Sequence, residues 1–241
     1  MNMKTKAILL HSLKYGDHQL VSDFFTEEQG RQSYISRLSK SGRGQIKKPF
    51  FQPLTLLDLE YDYRPNSRLQ HIRNIRMSRP YTSIPFDPDK LSLALFISDF
   101  LYYAIRNEQR NVALFDFIEK SMEWLDDKPD SFANFHLVFM LHLTRFIGFY
   151  PNIESQVDHS FFDLREGQFV TFPPLYPDYL RPQEAQVLSR ILQTDYSSMD
   201  NLTFSHDERN QATEMILHYY RLHVPDFPEL KSFEILKQLY S

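Results

Sequence analysis

Between residues 31 and 48 the chain carries six cations, Arg31, Arg37, Lys40, Arg43, Lys47 and Lys48, with Ser39, Ser41, Gly42 and Gly44 set among them. Long cationic arms on a glycine-bearing segment can follow an irregular line of phosphates. Serine hydroxyls and backbone N–H groups add hydrogen bonds to phosphate oxygens. Such a segment grips a backbone and does not read a sequence. Arg73 and Arg76 extend the candidate patch, with Arg64, Arg68 and Arg79 beside them. Tyr34, Phe50, Phe51, Tyr61 and Tyr63 are aromatic enough to stack on bases, although a protein core is the commoner fate of such residues.

Other chemistry finds little footing. The chain has no phosphate-binding loop, no dinucleotide fingerprint, no G-x-S-x-G turn and no H-E-x-x-H helix. His136 and His142 are six residues apart and His218 and His223 five, so neither pair shares the i, i+4 ligand face of a helix. Asp126, Asp127 and Asp130 cluster where a helix ends, and turn and cap preference explains them more simply than a two-metal nuclease centre. With no cysteine there is no thiolate nucleophile and no thiolate metal site. The chain therefore reads as a binding protein without catalytic function, and no cofactor is expected.

Two kinds of element must position these residues. Thr5–Leu10, Gln19–Thr26, Gln32–Leu38, Leu54–Tyr63 and Leu69–Met77 are short, β-prone and partly alternating, with turns at Tyr15-Gly16-Asp17 and Glu28-Gln29-Gly30. Five such strands close naturally into an oligonucleotide-binding (OB) barrel. Pro80, Pro85 and Pro88 then interrupt the chain, and beyond them the apolar period becomes helical. Helices are expected over 89–107, 111–126 and 131–149, with Gly148 and Pro151 as a stop. Phe161-Phe162 and Phe169-Val170 flank a turn, giving a β-hairpin near 160–172. Helices resume after Pro182; Ser205 with Glu208 forms a capping box for a helix to His223, and 230–240 closes the chain. The expected class is α+β, a five-stranded barrel in 1–80 followed by a mainly helical domain in 81–241 that carries the small hairpin.

Charge divides at the same place. Residues 1–80 hold 14 Lys and Arg against 7 Asp and Glu, a net of +7, whereas 81–241 hold 13 against 24, a net of −11. A basic module beside an acidic one suggests that the first meets a polyanion and the second repels it. The stretch Ala7–Leu10 is too short for a signal peptide, and Phe132–Tyr150 is broken by Asn134, His136, His142 and Arg145, which suits a buried helix better than a membrane span. The absence of cysteine agrees with a reducing compartment, and the cytoplasm is expected.

The succession of local patterns resembles a known family. Lys6-Ala7-Ile8-Leu9-Leu10, Tyr15-Gly16-Asp17, Leu20-Val21, Phe25-Thr26 and Gly30, then the basic loop and Phe51-Gln52-Pro53-Leu54-Thr55-Leu56-Leu57-Asp58-Leu59, is similar in order and spacing to the N-terminal domain of the RecO recombination mediators. Phe161-Phe162-Asp163-Leu164-Arg165-Glu166-Gly167-Gln168-Phe169 resembles the short hairpin in that family's helical domain. The resemblance implies DNA repair and recombination: binding single- and double-stranded DNA, annealing complementary strands, and helping the RecA recombinase replace single-strand-binding protein. It implies RecR and the acidic C-terminal tail of single-strand-binding protein as partners, RecA indirectly, and a place at the nucleoid. Many members of the family hold a four-cysteine zinc site beside the hairpin; here 151–159 and 171–179 contain none of those ligands, and packing of Phe161, Phe162, Phe169, Phe172, Tyr176 and Tyr179 is expected in its place.

Two alternatives stay open on the residues alone. An OB-headed RNA-binding protein shares the basic barrel, and a helical scaffold with an incidental basic domain shares the charge asymmetry. An aromatic-rich acidic body also suits protein docking, with Arg106, Arg110, Arg145 and Arg221 as possible cationic rims around an apolar pocket.

Overall fold

The computed structural model describes residues 2–37 and 46–239. Alternating apolar residues in the first part do form strands: β1 (Asn2–Tyr15), β2 (Gln19–Thr26), β3 (Gly30–Arg37), β4 (Leu56–Asp62) and β5 (Leu69–Arg79). They close in the order β1-β2-β3-β5-β4, antiparallel throughout except for the parallel pair β3 and β5. This is an OB-type barrel. Ala7, Leu9, Phe24, Tyr34, Leu57, Leu59, Tyr61, Ile72 and Ile75 fill its interior. Two inward tyrosines, Tyr34 and Tyr61, meet edge to face with ring centroids 5.2 Å apart. The first strand runs five residues past Leu10, its expected end, because an irregularity between Leu9 and His11 re-aims the chain and lets 11–15 keep pairing with β2.

Contacts between residues gather the chain into two compact units, 1–127 with 230–236 and 128–229 with 237–241. The barrel thus shares its unit with α1 (Pro88–Ala104) and α2 (Val112–Asp127). Asp87 caps α1, its carboxylate accepting the N–H groups of Asp89 and Lys90 at 2.9 and 3.2 Å, and Pro88 sits at the first helical position, where a missing N–H is harmless. Asp126, near the end of α2, is buried and accepts the N–H groups of Thr82, Ser83 and Ile84 at 2.8, 2.8 and 2.9 Å. Buried Lys90 donates to the Ser83 hydroxyl at 2.7 Å and the Asp126 carbonyl at 3.2 Å. Asp126 and Lys90 in this way take up the backbone and hydroxyl groups of 82–84, in the segment between β5 and α1.

In the second unit α3 spans only Phe135–Leu143, shorter than the expected 131–149. It begins after Asn134, whose side chain does not cap the helix but donates to the Leu202 carbonyl and accepts from Arg209. Its end is set by a switch to tight turns, with Arg145 and Phe146 donating to carbonyls three residues back and Gly148 at φ +90°. The hairpin forms as β6 (Phe161–Asp163) and β7 (Gln168–Val170), and a third short strand, β8 (Tyr179–Leu180), pairs with β6 on its other edge. Two residues of strand give no periodicity, so β8 left no signal in the sequence. α4 (Pro182–Gln193) and α5 (His206–His223) follow, the latter opened by the capping box of Ser205 and Glu208; α6 (Lys231–Leu239), most of which belongs to the first unit, ends the described chain. The buried Tyr220 hydroxyl donates to the Met140 carbonyl at 2.7 Å, tying α5 to α3.

Candidate nucleic-acid interface

The barrel sorts its cations into three groups. Arg31, on the outer face of β3, is covered by α1: its side chain is 11% exposed, stands 3.3 Å from the Asp23 carboxylate, donates to the Tyr102 carbonyl at 3.3 Å and lies over the Tyr102 ring. Burial lowers its pKa, opposed by Asp23. Grouped with the phosphate ligands on sequence alone, Arg31 instead fastens β3 to α1.

Arg73 and Arg76 are exposed but already paired. The outward side chains of β4, Asp58, Glu60 and Asp62, lie between the cationic rows of β1 and β5. Arg76 meets Asp58 at 3.0 Å, Arg73 meets Asp62 at 2.6 Å and Lys4 meets Glu60 at 2.8 Å. Hydrogen bonds from Arg73 and Lys4 hold Asp62 and Glu60 below their ordinary carboxylate values. Exposed pairs of this kind add little stability. They do lower the net field that a phosphate would meet on this face.

Arg37, Lys47 and Lys48 form the third group, all exposed, with exposed Arg64 and Arg68 at the β4–β5 turn. Lys40 and Arg43 lie outside the described residues. Arg37 ends β3 on its outward face, opposite Gln19 of β2, which in turn stands opposite Tyr15 of β1. One row inward, Leu13, Val21, Ile35 and His71 are aligned across β1, β2, β3 and β5. The outer face of the barrel over these strands is therefore apolar in one row and polar to cationic in the next.

The proposed stacking aromatics fall mostly inside. Tyr34 and Tyr61 are fully buried, and Phe50, Phe51 and Tyr63 are half-buried against the same core. Two residues not singled out for this role stand in the open: Leu13 is 58% and Tyr15 61% exposed. Their i, i+2 spacing just before the Gly16 turn was the available signal, hidden because the strand was expected to stop at Leu10.

In the segment 81–241 the singled-out histidines and Asp127 are engaged within the fold. His136 donates to or accepts from the Thr213 hydroxyl at 3.0 Å, and burial lowers its pKa to about 3, so the ring is neutral. His142 reaches the Leu192 carbonyl and His223 the Leu164 carbonyl, while His223 stacks on Phe149. Asp127 pairs with Arg79 at 2.7 Å. Of the four suggested cationic rims, Arg110 pairs with Glu28, Arg145 lies over the Tyr150 ring, and Arg106 is exposed. Arg221 borders an apolar groove of Leu164, Leu180, Val187 and Met215 that also has Glu184, Glu208 and Glu214 on its rim.

The surroundings of the hairpin do not fit a thiolate zinc site. The chain has no cysteine, and among the described residues no group of three His, Cys, Asp or Glu side chains could hold a metal. What joins the strands there is aromatic and ionic. Phe162 meets Phe169 and Tyr219 edge to face, and Phe161 meets Tyr179. Arg165 pairs with Asp178 at 2.5 Å and lies over the Tyr176 ring, while His218 reaches Asp178 at 3.1 Å. Phe172, expected in this packing, is 79% exposed.

Comparison with known proteins agrees with this architecture. A family described as "Recombination protein O N terminal" matches residues 1–81, the barrel, and one described as "Recombination protein O C terminal" matches residues 85–232. A DNA repair protein RecO of Phocaeicola vulgatus is 42% identical over 241 residues, covering all of both chains. A DNA repair protein RecO of Bacteroides fragilis is likewise 42% identical over the full length of both, and one of Flavobacterium psychrophilum is 33% identical over 242 residues, again covering both completely.

Proposed function

The chain belongs to the RecO family of DNA repair proteins, and from that premise we propose that it is a non-catalytic recombination mediator whose barrel holds DNA. In this reading it binds single- and double-stranded DNA, anneals complementary strands, and helps RecA replace single-strand-binding protein, with RecR and the acidic tail of that protein as partners. No cofactor or metal takes part, and the protein works in the cytoplasm at the nucleoid. No helix among the described residues is long and apolar enough to cross a membrane.

One observation carries the reading: a match to repair proteins over the whole length of the chain, in which the N-terminal family coincides with an OB barrel bearing exposed Arg37, Lys47 and Lys48. OB barrels take oligonucleotides on the strand 2 and 3 face and its neighbouring loops, and the binding is driven by phosphate neutralisation. Exposed cations on long flexible arms suit a grip on phosphates without sequence preference. Residues 1–80 then supply the DNA contacts, and the acidic segment 81–241 supplies surfaces for proteins, since it repels phosphate at long range.

The test is annealing of complementary, dye-labelled oligonucleotides by the full chain, free and coated with single-strand-binding protein. Accelerated annealing of both, with RecR and RecA then able to displace the coating protein, is the expected result. A chain that binds neither single strands nor duplex, or that leaves annealing at its spontaneous rate, overturns the proposal.

A further inference from the structure

We infer that Tyr15, at the tip of the β1–β2 hairpin, is a base-stacking residue that gives the barrel its preference for unpaired DNA. The inference rests on the DNA-binding reading above and names a residue and a strand type that the reading leaves open.

The hairpin tip is built to present the ring. Tyr15 and Gln19 are the last paired residues of β1 and β2, and the chain turns between them at Gly16, whose φ is +64°. A Cβ on Gly16 would meet nothing within 4 Å, so the glycine serves the turn's left-handed conformation and not a close contact. The Tyr15 side chain is 61% exposed and Leu13, two residues earlier on the same face, 58%. Neither belongs to the barrel core. Folding therefore gains little from an aromatic here, and the apolar surface is available to a ligand.

The neighbouring strands say what ligand. Tyr15, Gln19 and Arg37 stand opposite one another across β1, β2 and β3, all three exposed. Two strand spacings, about 10 Å, separate the Cα of Tyr15 from that of Arg37. A long guanidinium arm crosses most of that span, so a nucleotide stacked on Tyr15 has its phosphate within reach of Arg37, with the Gln19 amide between them as a hydrogen-bonding group. Leu13, Val21 and Ile35 in the next row continue the apolar floor beneath an adjacent base. An unpaired base has a free π-face for such a ring, whereas a base inside a duplex is stacked on both sides. On the outer face of β1, β4 and β5, by contrast, Lys4, Arg73 and Arg76 are each paired with a carboxylate.

The experiment uses the full chain, with anisotropy of a labelled oligothymidylate and of a blunt duplex, and fluorescence of an oligonucleotide carrying 2-aminopurine. Wild type is expected to quench 2-aminopurine on binding. Y15A should weaken single-strand binding about tenfold and abolish most of the quench, while duplex affinity stays within about twofold. Y15F should behave as wild type, because the ring and not the hydroxyl is used. Unchanged thermal melting of both variants is expected from an exposed position. Equal losses on single strand and duplex, or a Y15A protein that binds and quenches as wild type does, overturns the inference while leaving DNA binding intact. A wild type that binds no DNA overturns this inference together with the reading beneath it.

Discussion

Gly30 stands directly against Gln109: a Cβ built on Gly30 would lie 2.3 Å from the Gln109 carbonyl carbon, closer than any real contact. Gly30 also has φ +68°, and the next residue, Arg31, donates its N–H to the Glu108 carbonyl at 2.9 Å. The β2–β3 turn is thereby seated on the segment that joins α1 to α2. G30A should combine a left-handed strain with a backbone clash and destabilise the protein by about 3 kcal/mol. G16A, with open space around it, should cost only about 1 kcal/mol. Urea unfolding of the two variants measures the difference, and equal losses would contradict the seating.

Asp126 makes a second, pH-dependent prediction. Burial opposes its ionisation, but the N–H groups of Thr82, Ile84 and Ser83 and the Thr82 hydroxyl outweigh that and hold its pKa below the ordinary 3.8. A depressed carboxyl contributes stability that is present above the unfolded value and lost as pH falls through the folded value. D126A should leave three backbone donors without an acceptor and cost about 3 kcal/mol near neutrality. The deficit should shrink below pH 3.8, where the wild-type carboxyl is itself taking up protons; a deficit independent of pH would count against the assignment.

The three classes of barrel cation should separate in a salt titration of single-strand binding. Reversing Arg37, Lys47 and Lys48 together to Glu should flatten the dependence of log K on log salt by about 2, at about 0.7 per phosphate contact. R76A should change that slope little, since Asp58 already neutralises the guanidinium 3.0 Å away. R31M should lower stability more than affinity, because Arg31 is held by Asp23 and Tyr102. A slope set by Arg76 and indifferent to Arg37, Lys47 and Lys48 would place the interface on the opposite face.

Chelation should leave the hairpin intact. With no thiolate in the chain, treatment with EDTA is expected to leave the melting temperature unaltered, and stoichiometric zinc lost together with folding would refute it. The load should fall on Asp178 instead. Its burial is outweighed by Arg165 and His218, which hold its pKa below 3.8. D178A should therefore loosen β6 and β8, seen as faster amide exchange at Leu164, whose N–H donates to the Asp178 carbonyl, and at Tyr179.

Local pattern determined much of this protein. Alternation along Leu57, Leu59 and Tyr61 and along Ile72 and Ile75 made strands whichever neighbours they found, because one face had to be buried. The Ser205 and Glu208 box started α5 at the expected residue, since capping is settled within one turn. The order of these patterns was enough to show the family resemblance. Tertiary structure alone decided which cation is paired and which is exposed. Arg31 and Arg37 lie on the same outward face of one strand, six residues apart, yet one meets Asp23 and Tyr102 and the other ends the strand in solvent. Arg73 and Arg76 were partnered by Asp62 and Asp58 of β4, the preceding strand, at the register the β4–β5 pair adopts. Charge counts along a chain cannot see such pairing, because it depends on strand register, on the bulges within β4–β5, and, for Arg31, on a helix some seventy residues away that packs against β3.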